Sequence, residues 1–193
     1  MISGKKVIAI VPARLGSKRL KFKNLKIFNG KPLFLWSMIS ARHSKYIDEI
    51  YLSTDSKKIN NIALRNGFNI NRLRNKSLSK DKTTSSELIL DIFAKIKEKF
   101  DFFILLQPTS PLRLVKDIDK AIKRIILEGA SSLISVNSKN KKINGAIYIQ
   151  KVKHFIKNKK FKYKDTLIYK MPEKRSVDID TKSDFEKALK YYL

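Results

Sequence analysis

Short apolar, β-branched runs alternate with amphipathic stretches along nearly the whole chain, and this alternation restricts the fold more than any other feature. Residues 6–11 (KVIAIV), 49–53 (EIYLS), 102–106 (FFILL), 132–136 and 146–150 read as strands, with a weaker one over 68–73. Residues 32–44, 57–66, 84 to about 99 and 116–128 carry helical apolar spacing between them, and a last helix runs from Ser183 nearly to Leu193. Local punctuation agrees. Pro32 opens one helix, Gly67 and Gly129 follow the ends of two others, and Thr84-x-x-Glu87 and Ser183-x-x-Glu186 have capping-box spacing. Strands alternating with helices form βαβ units, so the expected architecture is a three-layer α/β domain: a mainly parallel sheet with helices on both faces. With no internal repeat and no Gly/Ser/Pro linker, residues 1–193 are expected to form a single domain.

Composition narrows the function less than it first suggests. The 43 Lys+Arg against 17 Asp+Glu give a formal net charge of +26, which attracts nucleic acid, anionic lipid or phosphorylated small molecules. The chain is also crowded with Ile and Asn, as a Lys/Ile/Asn bias produces, so most individual lysines read as solvated surface. The absence of cysteine excludes a disulfide framework and a thiolate metal site. The run VIAIVPA is too short for a signal segment and leads straight into Arg14, and nothing approaches a membrane span. A cytoplasmic location with no membrane partner is expected.

In an open α/β sheet, ligands bind beyond the carboxyl ends of the strands. Three polar, turn-rich segments fall there: VPARLGSKRLKFKNL after the first strand, STDS at 53–56, and QPTSPLR at 107–113. The first has a small Gly16-Ser17 turn among Arg14, Lys18 and Lys23. Backbone donors, neutralising charge and a guanidinium fork suit a polyphosphate, although the segment is neither a Walker loop nor G-x-G-x-x-G. A plain solvated loop is the alternative. Position directly after the first strand favours phosphate.

Asp178 and Asp180, in SVDIDTKSD, alternate along an extended segment and point to one face. Paired carboxylates repel unless a cation sits between them, and oxygen ligands suit Mg²⁺. A pair of surface aspartates before the last helix is the competing reading. Gln107 offers both donor and acceptor for a base edge or a substrate hydroxyl, while two prolines stiffen its loop; a structural turn fits equally. His43 and His154 stand alone without ligand spacing, and no Ser/His/Asp set is present.

VPARLGSKRLKFKNL…NGKPL, STDS, LLQPTSPLR, NGAIYI and SVDIDTKSDFEKA together resemble, in order and rough spacing, the acylneuraminate cytidylyltransferases, or CMP-sialic acid synthetases. The likeness runs from about Lys6 to the C-terminus. It implies a Rossmann-like nucleotidyltransferase fold, and transfer of CMP from CTP to the anomeric hydroxyl of an acidic 2-keto-3-deoxy sugar, with Mg²⁺ as cofactor and pyrophosphate released. On this resemblance Pro12, Ala13 and Arg14 approach the nucleotide, Ser17, Lys18 and Lys23 hold its phosphates, and Asn24 assists. Arg74 and the Thr83 to Ser85 region line the cytidine site. Gln107 and Tyr148 face the sugar, and Asp178 and Asp180 carry the metal. Arg14, Lys23 and Asp178 are the expected catalytic residues.

The sequence also departs from that family. Lys21-Phe22 replaces a usual proline and its varied neighbour, and Lys162 stands where an aromatic sugar contact is expected. Between Val136 and Asn144 only NSKNKKI (137–143) bridges two strands, where relatives insert a long dimerisation excursion. Most of the dimerisation subdomain is therefore expected to be missing, and the family's homodimer is doubtful. A nonulosonate-type cytidylyltransferase is the preferred reading. Its alternatives are a 3-deoxy-manno-octulosonate cytidylyltransferase and a CTP-binding homologue with impaired catalysis and a regulatory or partner-binding role. A nucleic-acid binder is weaker: 137–162 holds nine lysines and no acid, yet no nucleic-acid-binding pattern accompanies them.

Overall fold

The computed structural model describes residues 2–69 and 73–192. Its central sheet has six strands: β1 (Val7–Pro12), β4 (Glu49–Ser53), β5 (Phe102–Leu105), β6 (Ser132–Asn137), β7 (Ile143–Lys151) and β8 (Leu167–Met171). Their order is β4-β1-β5-β7-β6-β8, and a two-stranded hairpin, β2 (Ile27–Phe28) with β3 (Lys31–Pro32), stands apart. β1 runs parallel to β4 and β5, and β6 runs parallel to β8. β7 runs antiparallel between β5 and β6. Connection length dictates this reversal, because 138–142 can close a hairpin but cannot make the crossover that a parallel strand requires.

The alternation of β1 divides the core into two layers. Val7, Ala9 and Val11 pack toward α1 (Leu33–Arg42), α2 (Lys57–Arg65) and α4 (Val115–Leu127). Ile8 and Ile10 pack on the other face, toward α3 (Ser85–Lys95) and α5 (Val152–Asn158). These five side chains of β1 are fully buried, as a strand covered on both faces requires. A third cluster seats α6 (Lys182–Tyr192) on the β2–β3 hairpin, with Phe28 packed edge-on against Trp36, Phe185 and Tyr192. Val177 and Ile179 belong to this cluster, which anchors the segment carrying the two aspartates.

Several expectations need correction. Residues 68, 69 and 73 are not in a strand, and the rest of the expected 68–73 strand lies outside the described residues. α3 stops at Lys95 rather than near 99. The last helix is capped two residues earlier than expected: the Thr181 backbone N–H donates to Asp184 (2.8 Å), and the Asp184 N–H donates to Thr181 Oγ1 (3.2 Å). The Thr84–Glu87 capping box forms as its spacing predicts. The lysine-rich run starts in the β6–β7 turn at the carboxyl end of β5 and passes to the opposite end, where β7 finishes and α5 begins.

Candidate active site

The loop after β1, the segment from Arg74 to Leu88, the loop after β5 and the two aspartates line one cleft of about 540 Å³. The loop after β1 is fastened before it bends. The Ala13 N–H donates to the Ser53 carbonyl (2.8 Å) and the Leu15 N–H to Asp55 (2.8 Å), so STDS buttresses the first loop. Asn24 Nδ2 donates to the Arg14 carbonyl (2.8 Å), while Ser17 Oγ donates to the Leu20 carbonyl (2.5 Å) and accepts from the Lys23 N–H (3.1 Å). A loop pinned by its own polar groups presents its cations in a set geometry. Over Gly16 a Cβ would meet no protein atom within 4 Å, so the chain itself leaves room there for a ligand's close approach.

Lys23 is the most deeply set of these cations. Its Nζ donates to the Ile179 carbonyl (2.9 Å) and to Asp180 (3.1 Å). Burial pushes its pKa down, and the nearby Asp178 carboxylate partly opposes that shift. Arg74 is held by Ser53, through the carbonyl (2.6 Å) and Oγ (3.0 Å), and burial lowers its pKa as well. Desolvated cations bind phosphate more strongly than solvated ones, because the charge is less screened.

Asp178 and Asp180 both line the cleft, with Ile179 between them fully buried and its N–H bonded to the Thr109 carbonyl (2.8 Å). Asp180 is paired with Arg19 and Lys23. Among the described residues, no hydrogen bond or ion pair holds the Asp178 carboxylate. Two carboxylates on one wall fit a divalent cation that draws its other ligands from phosphate and water. The described residues hold no group of three or more His, Asp or Glu side chains in ligating proximity, so the chain alone supplies no closed metal cage.

The loop after β5 owes its position to Arg113, a buried guanidinium. It donates to the Ala146 carbonyl (2.6 Å), the Gln107 carbonyl (3.4 Å) and Ser37 Oγ (2.7 Å), and burial lowers its pKa. Gly145 lies beneath Gln107. It has φ +71°, and a Cβ there would stand 2.6 Å from Gln107 Oε1 and 3.5 Å from Asp178 Oδ2. Asn144 Oδ1 accepts from Ser135 Oγ (2.6 Å) and its Nδ2 donates to Ser176 Oγ (3.0 Å), tying the start of β7 to β6 and to the approach to Asp178.

Of the residues singled out from sequence, Pro12, Arg14, Ser17, Lys18, Lys23, Asn24, Arg74, Thr83, Ser85, Gln107, Asp178 and Asp180 meet at the cleft. Ala13 is fully buried, so it offers backbone only. Tyr148 lies outside the cleft lining, its ring packed on Phe161 at 5.3 Å. Burial raises its pKa, and the Asp178 charge adds to that rise.

The cytidylyltransferase family model matches residues 8–166. The chain belongs to the cytidylyltransferase family. It is 32% identical over 218 aligned positions to the CMP-N,N′-diacetyllegionaminic acid synthase of Legionella pneumophila, covering 93% of each protein. It is also 32% identical to the N-acylneuraminate cytidylyltransferase of Escherichia coli, covering 95% of this chain but 51% of that protein, so it spans about half the length of that relative. The fold is similar to that of a CMP:2-keto-3-deoxy-manno-octonic acid synthetase solved with CTP, with a TM-score of 0.77 at 15% identity over 97% of this chain and 98% of that one.

Within this cytidylyltransferase, sequence reasoning missed Arg19, Asp81, Arg113 and Gly145. Arg113 and Gly145 lay inside the motifs QPTSPLR and NGAIYI, but their tasks depend on contacts between distant loops. Arg19 lay in the basic run without a feature to single it out. Asp81 follows Lys80 and precedes Lys82, which made it read as surface.

Proposed function

We propose that this cytidylyltransferase transfers CMP from CTP to the anomeric hydroxyl of an acidic 2-keto-3-deoxy sugar of the nonulosonic class, in the cytoplasm. The observation that carries this reading is one cleft joining the basic loop, Arg74, Gln107 and the aspartate pair. Ser17, Lys18 and Lys23 take the triphosphate. Arg74 and the 83–85 segment take the cytidine, and Gln107 orients the sugar. The sugar oxygen bonds to the α-phosphorus as the bond to pyrophosphate breaks. Arg14 and Lys23 stabilise the charge that gathers on the phosphoryl oxygens and the leaving group, which is where such transfers gain most. Mg²⁺ held by Asp178 and Asp180 would neutralise phosphate charge and ease deprotonation of the hydroxyl. Tyr148, close enough to feel the Asp178 charge, would flank the sugar side.

The test is pyrophosphate release from CTP and Mg²⁺ with N-acetylneuraminate, legionaminate, pseudaminate and the eight-carbon 3-deoxy acid in parallel. Release with one sugar, abolished in Asp178→Asn with the melting temperature retained, is the expected result. Full activity in that variant would remove the metal assignment. A second reading, CTP binding without transfer, draws on the turn at 138–142 between β6 and β7. The alignment to the Legionella relative is longer than the 193 residues of this chain, so that relative carries segments with no counterpart here. CTP binding by calorimetry with no release from any sugar would select it.

A further inference from the structure

Two carboxylates hold four of the five cations of the first loop. Asp180 takes Arg19 and Lys23, and Asp81 takes Arg14 Nη2 (2.8 Å) and Lys18 Nζ (2.9 Å). Asp180 belongs to the aspartate pair and has a task there. Asp81 has none in the reaction as derived, yet it lines the same cleft. Acids are scarce in this chain, 17 against 43 bases, so a carboxylate placed on two phosphate-loop cations calls for a reason.

Local structure shows how it is presented. Asn75 caps a 3₁₀ turn at Lys76–Ser79, with the Ser77 N–H on its side chain at 3.1 Å. The Thr83 N–H then donates to the Lys80 carbonyl (3.1 Å), and Thr84 opens α3. Asp81 thus sits in a strap between two fixed points, joined across the cleft to the first loop. The Ser79 carbonyl adds a second tie by accepting from Arg14 Nη1 at 3.3 Å. The Lys18 ammonium, with Arg14 behind it, holds the Asp81 carboxyl below the usual carboxylate range.

We propose that Asp81 is a specificity-determining residue, an internal carboxylate that an incoming anion must displace from Arg14 and Lys18. The inference rests on the functional reading above and adds a selection rule to it. Both substrates of such an enzyme are anions, and a basic loop without selection would also take the sugar acid. Exchanging one carboxylate for another on the same two cations gains almost nothing. A triphosphate brings several charges and more acceptor oxygens, so it repays the displacement and the sugar carboxylate does not. The same strap carries Thr83 and leads into Ser85 at the start of α3, so releasing Asp81 couples phosphate occupancy to the position of the cytidine wall.

The experiment is calorimetric binding of inorganic tripolyphosphate to the wild type, Asp81→Asn and Asp81→Glu, with Glu128→Gln as a control for net charge. Glu128 pairs with Arg124 on α4 and does not line the cleft. Asp81→Asn is expected to bind tripolyphosphate about three- to tenfold more tightly, as removal of a competing, partly exposed ion pair permits. Asp81→Glu and Glu128→Gln should stay within about twofold of wild type on the same scale. Equal or weaker binding by Asp81→Asn overturns the proposal, as does an equal gain in Glu128→Gln or no binding by any protein. CTP is titrated separately. A wild type that binds tripolyphosphate but not CTP sinks the cytidine reading, while the tripolyphosphate series still decides the role of Asp81.

Discussion

Gly145 shows how much of the site hangs on a single absent atom. Its φ of +71° already disfavours any side chain, by about 1–2 kcal/mol. A Cβ would also stand 2.6 Å from Gln107 Oε1, the far end of a flexible side chain, so the amide would have to leave its place in the cleft. Gly145→Ala is therefore expected to lower kcat for cytidylyl transfer at least about tenfold, with the KM for CTP changed less than about threefold. In a Gln107→Ala background the contact no longer exists, so the same substitution should cost only its backbone strain. An undiminished loss of kcat in that background would mean the glycine serves the backbone of β7 alone. This is also where the sequence stopped being informative. NGAIYI was legible as a motif, and its strand as a strand from Ala146. The strand in fact begins at Ile143, and the reason for the glycine is a contact between the loop after β5 and the β6–β7 hairpin. Arg113 repeats the lesson: its three acceptors come from three separate segments.

At the scale of elements, buried strands and long helices were legible because their apolar periods are unbroken, whereas β8 and α5 were not. Leu167–Met171 places Lys170 within an edge strand, and Val152–Asn158 spans only seven residues, too short for a period to declare itself. Met171 of β8 is buried in the same cluster as Ile118, Ala121, Ile122 and Ile125 of α4, and a polar tie adds to that packing. Asp117 is almost fully buried and accepts from Arg175 Nε and Nη2 (both 3.0 Å), Tyr169 Oη (3.2 Å) and the Leu114 N–H (3.1 Å). One carboxylate thereby joins the start of α4, β8 and the segment that leads on to Asp178. Asp117→Asn leaves the Arg175 guanidinium without its counter-charge. Breaking a fully buried pair costs about 3–5 kcal/mol, and the partial exposure of Arg175 reduces this to about 2 kcal/mol. The melting temperature should fall by about 4–8 °C in a thermal scan at neutral pH. A fall below about 1 °C would show that neutral hydrogen bonds suffice at this junction.

For the whole molecule, the charge of +26 and the short β6–β7 turn bear on the same question. Two copies at this charge repel each other, and a turn of 138–142 offers little surface to overcome that repulsion. The chain is accordingly expected to be monomeric in light scattering at physiological salt, without the dimer that its resemblance suggested. The same charge should retain it on heparin. That retention reports counterion release, which weakens steeply with salt and carries no sequence preference. The course of the lysine-rich run favours this outcome over specific nucleic-acid binding, because the run does not stay on one end of the sheet. It leaves the cleft end with Lys139, Lys141 and Lys142 and reaches the far end at Lys151 and α5. Among the described residues no helix is long and apolar enough to cross a membrane. Elution from heparin below about 0.5 M salt, with equal affinity for unrelated DNA sequences, is the expected pattern. A stable dimer, or a DNA site preferred more than about a hundredfold, would show that the basic surface has a partner of its own.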